Sequence, residues 1–131
     1  MIEKEYPVKI KALTEIQEFI NNFCGDNSIN TKAATKIAVC TDEVVSNVVY
    51  YSGADYLRIQ CSFEEKTVSV SFIDNGKPFN PLTDSEAPDI GADLDERKIG
   101  GLGIHIVKEM MDSVEYARND NKNIFTIKIS G

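Results

Sequence analysis

Tryptophan is absent from this chain, histidine occurs once, at His105, and no apolar run is long enough to cross a membrane. A spanning helix needs about 20 consecutive apolar residues, so a transmembrane protein is not expected. Cysteine is scarce and odd in number. Cys24, Cys40 and Cys61 lie far apart, which argues against a disulfide framework and, with a single histidine, against a zinc site. Positive charge is also short: 14 Lys and Arg against 21 Asp and Glu leave a net charge of −7. Phosphate backbones are gripped by basic surfaces, so direct nucleic-acid binding is not expected and the partners should be proteins. The opening Met1-Ile2-Glu3-Lys4-Glu5 lacks the apolar segment of a signal peptide, and a cytoplasmic protein is expected.

What is present suits a single domain spanning residues 1–131, with 42% hydrophobic content enough for one core. Tyr6 to Ile10 alternates as a short strand, and Leu13, Ile16, Phe19, Ile20 and Phe23 mark an amphipathic helix from Leu13 to Phe23. A longer helix is expected from Thr31 to Tyr51, broken by Gly53-Ala54-Asp55. Leu57, Ile59, Cys61 and Phe63 alternate as a strand, Glu64-Glu65-Lys66 turns the chain, and Val68 to Ile73 forms the next strand. A third helix follows Gly103, and Val114 to Ala117 with Ile124 to Ile129 reads as a hairpin around Asn119-Asp120-Asn121. No repeat, low-complexity tract or linker interrupts this order.

Three segments carry chemistry. In Gly100-Gly101-Leu102-Gly103 a glycine loop enters a helical pattern bearing Ile104, Val107 and Met111. Glycines let backbone amides approach an anion closely, and the free N–H groups of a helix start add partial positive charge. The alternative is a plain flexible turn. Within the long helix, Glu43 and Asn47 stand one turn apart and share a face. An amide oxygen suits Mg²⁺ beside water and phosphate ligands, and a nearby carboxylate suits a general base; the alternative is an exposed polar stripe. Finally, alternation puts Asp74 on the same face as Val68, Val70 and Phe72. A carboxylate aimed at the core calls for a donor, such as an adenine amino group. Otherwise Asp74-Asn75-Gly76 is a simple turn whose Asn and Gly accept positive φ and whose Asp bonds local amides.

Taken in order, Glu43 to Asn47, Asp74-Asn75-Gly76 and Gly100-Gly101-Leu102-Gly103 resemble the N box and the first and second glycine boxes of the GHKL superfamily, named for gyrase, Hsp90, histidine kinases and MutL. Within it the chain resembles the small bacterial anti-sigma-factor serine/threonine kinases. The resemblance spans nearly the whole chain. It implies an α+β fold, a two-layer α/β sandwich whose mixed, mostly antiparallel sheet carries helices on one face, with ATP between the layers. By this likeness Asn47 would hold Mg²⁺, Glu43 would activate the attacking hydroxyl, and Asp74 would read the adenine amino group beside Gly76. Gly100, Gly101, Leu102, Gly103 and Ile104 would hold the phosphates. The implied activity is protein serine/threonine kinase with MgATP, and the implied partners are a sigma factor and its STAS-type antagonist. Two copies pairing through the sheet edge near the N-terminal strand is a further implication. The other readings are an ATP-binding module that transfers no phosphate, a histidine-kinase catalytic domain apart from its dimerisation helix, and a purely structural interaction domain.

The chain departs from the family pattern where Lys77 and Pro78 follow Gly76, replacing the second glycine of the first box and stiffening the loop. In many relatives a threonine near the last strand reaches the adenine pocket, and Thr126 invites that role. Parity argues for Asn123 instead, which shares a side with Phe125, Ile127 and Ile129. Residues 77–99 form a proline-bearing acidic stretch that the resemblance makes the lid over ATP. Arg97 at its end is either the lid residue that meets the γ-phosphate or an exposed arginine balancing local acids, with Lys98 a weaker substitute. His105 reads as a surface or packing residue.

Overall fold

The computed structural model describes residues 1–84 and 101–131, with 83–84 and 101–103 as backbone only. Five strands, β1 (Ile2–Pro7), β2 (Tyr56–Glu64), β3 (Thr67–Asp74), β4 (Ser113–Asn119) and β5 (Lys122–Ser130), form one sheet in the order β1-β2-β3-β5-β4. Three main helices cover one face: α1 (Ala12–Asp26), α2 (Thr31–Asn47) and, after the short α3 (Pro81–Asp84), α4 (Gly101–Met110).

Each element follows from its residues. On α1 the buried positions Ala12, Ile16, Ile20, Phe23 and Cys24 fall on one stripe at helical spacing. On α2, Asn30 caps the first turn by accepting from the Ala33 N–H at 2.8 Å, and Ala33, Ile37, Cys40, Val44 and Val45 are buried. The two hairpins close on two-residue turns in which both residues have positive φ, Glu65-Lys66 and Asp120-Asn121. That geometry matches the right-handed twist of the flanking strands. The helix-facing rows of the sheet then line up across strands. Cys61 pairs with Val70 and Val70 with Ile127, and Ile59 pairs with Phe72 and Phe72 with Phe125. All are buried. The opposite face is polar, with Ser71 and Thr126 hydroxyls bonded at 2.8 Å and Arg58 paired with Glu5.

Two expectations need correction. Alternation puts the first strand at Tyr6 to Ile10, whereas it runs Ile2–Pro7, paired throughout with β2. Glu3, Lys4 and Glu5 before Tyr6 are exposed and charged as befits an edge strand, so pairing and not alternation decides it. Val8 packs on the core and Ile10 is exposed. The sheet is also antiparallel at every described pairing, not mixed. β3 and β4 do run in the same direction, but β5 lies between them and is antiparallel to both. The helix expected over Thr31 to Tyr51 is continuous in position, with its last turn, Val48–Ser52, wound as a π-helix.

Ile59, fully buried mid-sheet, sets the scale of the core. Ile59→Ala is expected to cost about 2–5 kcal/mol in urea unfolding. Arg58→Ala, which removes a surface ion pair with Glu5 and the guanidinium contact over the Tyr56 ring, should cost less, about 0.5–1.5 kcal/mol.

Candidate functional site

The apolar face of the sheet ends in polar residues. Continuing the rows toward the end of β3, Leu57 pairs with Asp74 and Asp74 with Asn123, directly opposite on β5. Both polar side chains are 4% exposed. Both line a hollow that encloses about 390 Å³ of non-atom space when its open mouth is included. Phe72 and Phe125 come to it from the sheet, Val44 and Val48 from α2 and the π turn, and Ile104 from α4. Asn47, Ser52, Asp74 and Asn123 supply polar groups.

A close contact sets the distance across this hollow. Gly53, with φ +65°, ends the π turn, and the Ser52 carbonyl accepts from the Lys77 N–H at 2.9 Å. A Cβ on Gly76 would lie 2.3 Å from the Ser52 carbonyl oxygen. Gly76 is therefore required by proximity. Neither Asn75 nor Gly76 has positive φ, whereas the bond from the Gly76 N–H to Asp74 Oδ1 at 2.9 Å is the local Asp–amide contact that a turn reading of this segment expects. Asn75 accepts from the Asp55 and Tyr56 N–H groups at 2.8 and 3.3 Å, fastening the end of β3 to the start of β2.

Asp74 draws its donors from the protein. Its Oδ1 accepts from the Gly76 N–H at 2.9 Å and from Asn123 Nδ2 at 3.1 Å; no described hydrogen bond falls on Oδ2. Burial pushes the Asp74 carboxyl above the ordinary aspartate range, opposed by the Asn123 and Gly76 bonds and by the Arg118 charge. Arg118 donates to the Gly76 carbonyl at 2.7 Å. Asn123 is saturated. Its Nδ2 also donates to the Lys77 carbonyl at 2.8 Å, while its Oδ1 accepts from the Tyr116 hydroxyl and the Phe79 N–H. Phe79 stacks on Tyr51 with ring centroids 5.7 Å apart.

Across the hollow, Asn47 carries an amide nitrogen that is buried and has no hydrogen-bond partner among the described residues. An unpartnered buried amide facing a cleft is costly for the fold alone, and its orientation is interchangeable with one that presents the oxygen. Such a group fits a single protein ligand of Mg²⁺, whose other sites go to water and phosphate. No cluster of three or more His, Cys, Asp or Glu able to hold a metal exists among the described residues. Glu43 stands one turn before Asn47 and half-buried, not in the lining of the hollow itself. Burial, then the charge of Asp42, raises its pKa.

Of the residues singled out from sequence, Asn47, Asp74, Ile104 and Asn123 line one hollow, and Gly76 and Glu43 flank it. Gly101, Leu102 and Gly103 form the backbone of the first turn of α4. Gly100, Arg97, Lys98 and most of the 77–99 stretch lie outside the described residues. Thr126 faces the opposite side, bonded to Ser71, and His105 is exposed. Sequence reasoning passed over Tyr116, Phe79, Ser52 and Arg118. A signal existed for two of them: counting back from the Asp120-Asn121 turn sets Arg118 opposite Asn123 and Tyr116 opposite Phe125.

With this geometry in place, the comparisons speak to kinship. Residues 6–129 match the histidine kinase-like ATPase domain family, and the chain belongs to that family. A serine/threonine-protein kinase of Bordetella bronchiseptica, BtrW, is 28% identical over 97 residues, covering 70% of this chain and 66% of that protein. Thus the chain spans just under two thirds of that relative's length. Among solved structures, the RsbU and RsbW domains of a Mycobacterium tuberculosis protein superpose with a TM-score of 0.67 at 12% identity, over 99% of this chain and 32% of that one. The SiaB–SiaC complex of Pseudomonas aeruginosa gives 0.68 at 11% identity, over 98% and 88%. At such identities the structural likeness establishes the fold. It matches the two-layer α+β architecture described above.

Gly76→Ala places a methyl group against the Ser52 backbone and is expected to cost about 1–3 kcal/mol, read as a lowered urea midpoint with an unchanged m-value.

Proposed function

We propose that this protein binds MgATP in the hollow and transfers the γ-phosphoryl group to a serine or threonine hydroxyl of a partner protein. The observation that carries the reading is that a buried carboxylate with an available oxygen, Asp74, and an orphaned buried amide, Asn47, face one apolar cleft from different elements. Family membership supports ATP as the ligand. The name of the Bordetella relative supports a serine/threonine kinase. One structural neighbour was solved as a complex of two proteins, SiaB and SiaC, which supports a protein substrate. Following the resemblance to anti-sigma-factor kinases, the partners proposed are a sigma factor and its STAS-type antagonist.

In this reading Asp74 accepts from the adenine 6-amino group while Phe72 and Phe125 shield the base from water. Asn47 would hold Mg²⁺, which when bound would supply charge neutralisation. The N–H groups at the start of α4 point their dipole at the phosphates. Glu43 accepts the proton of the attacking hydroxyl as its oxygen bonds to the γ-phosphorus, and the bond to the bridging oxygen breaks to release ADP. Positioning and charge do most of the work in such a transfer. A base held partly out of water suits the role, because its raised pKa brings it closer to neutral pH.

Asp74→Asn is expected to leave the fold intact and to weaken ATP binding about tenfold or more, read by calorimetric titration. Equal affinities would remove adenine from Asp74. Glu43→Ala should retain ATP but slow transfer to a partner serine by about 10²–10⁴, followed by radiolabel incorporation. Because the pKa of Glu43 is raised, and the base must be ionised, the parent rate should fall with decreasing pH at a midpoint above the usual 4.5. The variant should lack that limb. Transfer by Glu43→Ala at the parent rate would deny Glu43 the role of base, and ATP binding by the parent without any transfer would favour the non-catalytic regulatory module.

A further inference from the structure

We propose that residues 77–82 form a strap that shuts the hollow, with the Phe79 ring latched on Tyr51, so that a nucleotide enters only when the latch lets go. This deepens the reading of the hollow as a nucleotide site and rests on it. The first observation is one of size. The room that the hollow offers to the centre of a water-sized sphere is about 30 Å³. A cavity of about 150 Å³ is what takes a single benzene ring, and a purine has two fused rings. As it stands, the hollow has space for water and none for a base.

The second observation is which wall can give. Phe72 and Phe125 from the sheet, Val44 from α2 and Ile104 from α4 are buried in the packed core, and moving any of them would disturb both layers. Phe79 and Pro81 belong to neither layer. They come from the connection that leaves β3 and enters the one-turn helix α3. Its start is pinned: the Lys77 N–H donates to the Ser52 carbonyl at 2.9 Å, and the Lys77 carbonyl accepts from Asn123 at 2.8 Å. Beyond that point Lys77 and Pro78 are exposed, and Phe79 turns back inward, half-buried. Its N–H reaches Asn123 Oδ1 at 3.3 Å, beyond the usual span of such bonds. Its ring lies within 12° of parallel to that of Tyr51, with centroids 5.7 Å apart. An aromatic pair of this kind sets a resting position without making it permanent.

With Phe79 and Pro81 in place, the apolar walls are kept from water. A ligand must displace them, and its apparent affinity falls with the fraction of molecules that stand open. A lid closes over a ligand already seated, whereas this strap is seated first and competes for the same space. Tyr51 does not line the hollow. It acts on the ligand through Phe79, which makes it the place to test the latch.

The experiment uses the full chain and MgATP. Tyr51→Leu removes the stacked ring and should tighten binding about two- to tenfold in calorimetric titration, the gain lying in the association rate by stopped flow. Tyr51→Phe keeps the stack and should keep the parent affinity. The chain has no tryptophan, so Phe79→Trp places a single reporter at the latch, and its emission should move to longer wavelength as saturating MgATP lifts the ring into water. Thermal unfolding checks that each variant folds. A parent that binds ATP while Tyr51→Leu binds it no more tightly, equal tightening by Tyr51→Phe, or a Phe79→Trp emission unmoved at saturation would each overturn the strap and leave the nucleotide site standing. Binding by Tyr51→Leu without measurable binding by the parent would support the strap in its strongest form. No binding by either, both folded, would overturn the nucleotide site and the strap together.

Discussion

Gly76 has no side chain, and the Ser52 carbonyl occupies the space where one would begin. Through that contact the end of the sheet comes to rest on the end of the long helix. Ser52 holds its place because the preceding turn is wound one residue wider than an α-helix and because its own hydroxyl accepts from the Ala54 N–H after donating to the Val48 carbonyl. Such π turns concentrate at functional sites. With the two ends pressed together, Asp74 on β3 and Asn47 on α2 border the same space. The hollow is what remains between two layers once that spacer distance is fixed.

The polar groups at this end are expensive for folding, and the arrangement limits the expense. Burial of Asp74 disfavours its charge, and hydrogen bonds from Asn123 and Gly76, together with the charge of Arg118, offset part of that cost. Asn123 spends its whole hydrogen-bonding capacity on the protein, so it costs little to bury. The Asn47 amide nitrogen has no such partner among the described residues. Stability withheld at one amide is the usual mark of a site built to receive something.

Much of this was legible in the sequence because the strands obey a strict period of two. Parity alone put Asp74 on the helix side and separated Asn123 from Thr126. The hairpin turns were legible because Glu64-Glu65-Lys66 and Asn119-Asp120-Asn121 interrupt clear alternation. The first strand was not, since an edge strand stabilised by pairing with Leu57 to Cys61 need carry no apolar rhythm of its own. Nor was the reason for Gly76: local conformation explains most glycines, and this one answers to the carbonyl of Ser52, far back along the chain. The π turn left no trace in composition. Tyr116 and Phe79 escaped because their roles depend on Asn123, and the importance of Asn123 emerges only when β3 and β5 are side by side.

That adjacency has a bearing on how the molecule assembles. Each hairpin closes through a two-residue turn, while Asp74 and Asn123 meet across 49 positions of chain. Loop-closure entropy makes the local ribbons quick to form and their union slow. The pocket has no precursor in either ribbon: half of its polar end belongs to one and half to the other. A pocket whose polar end needs both ribbons therefore forms no earlier than their union.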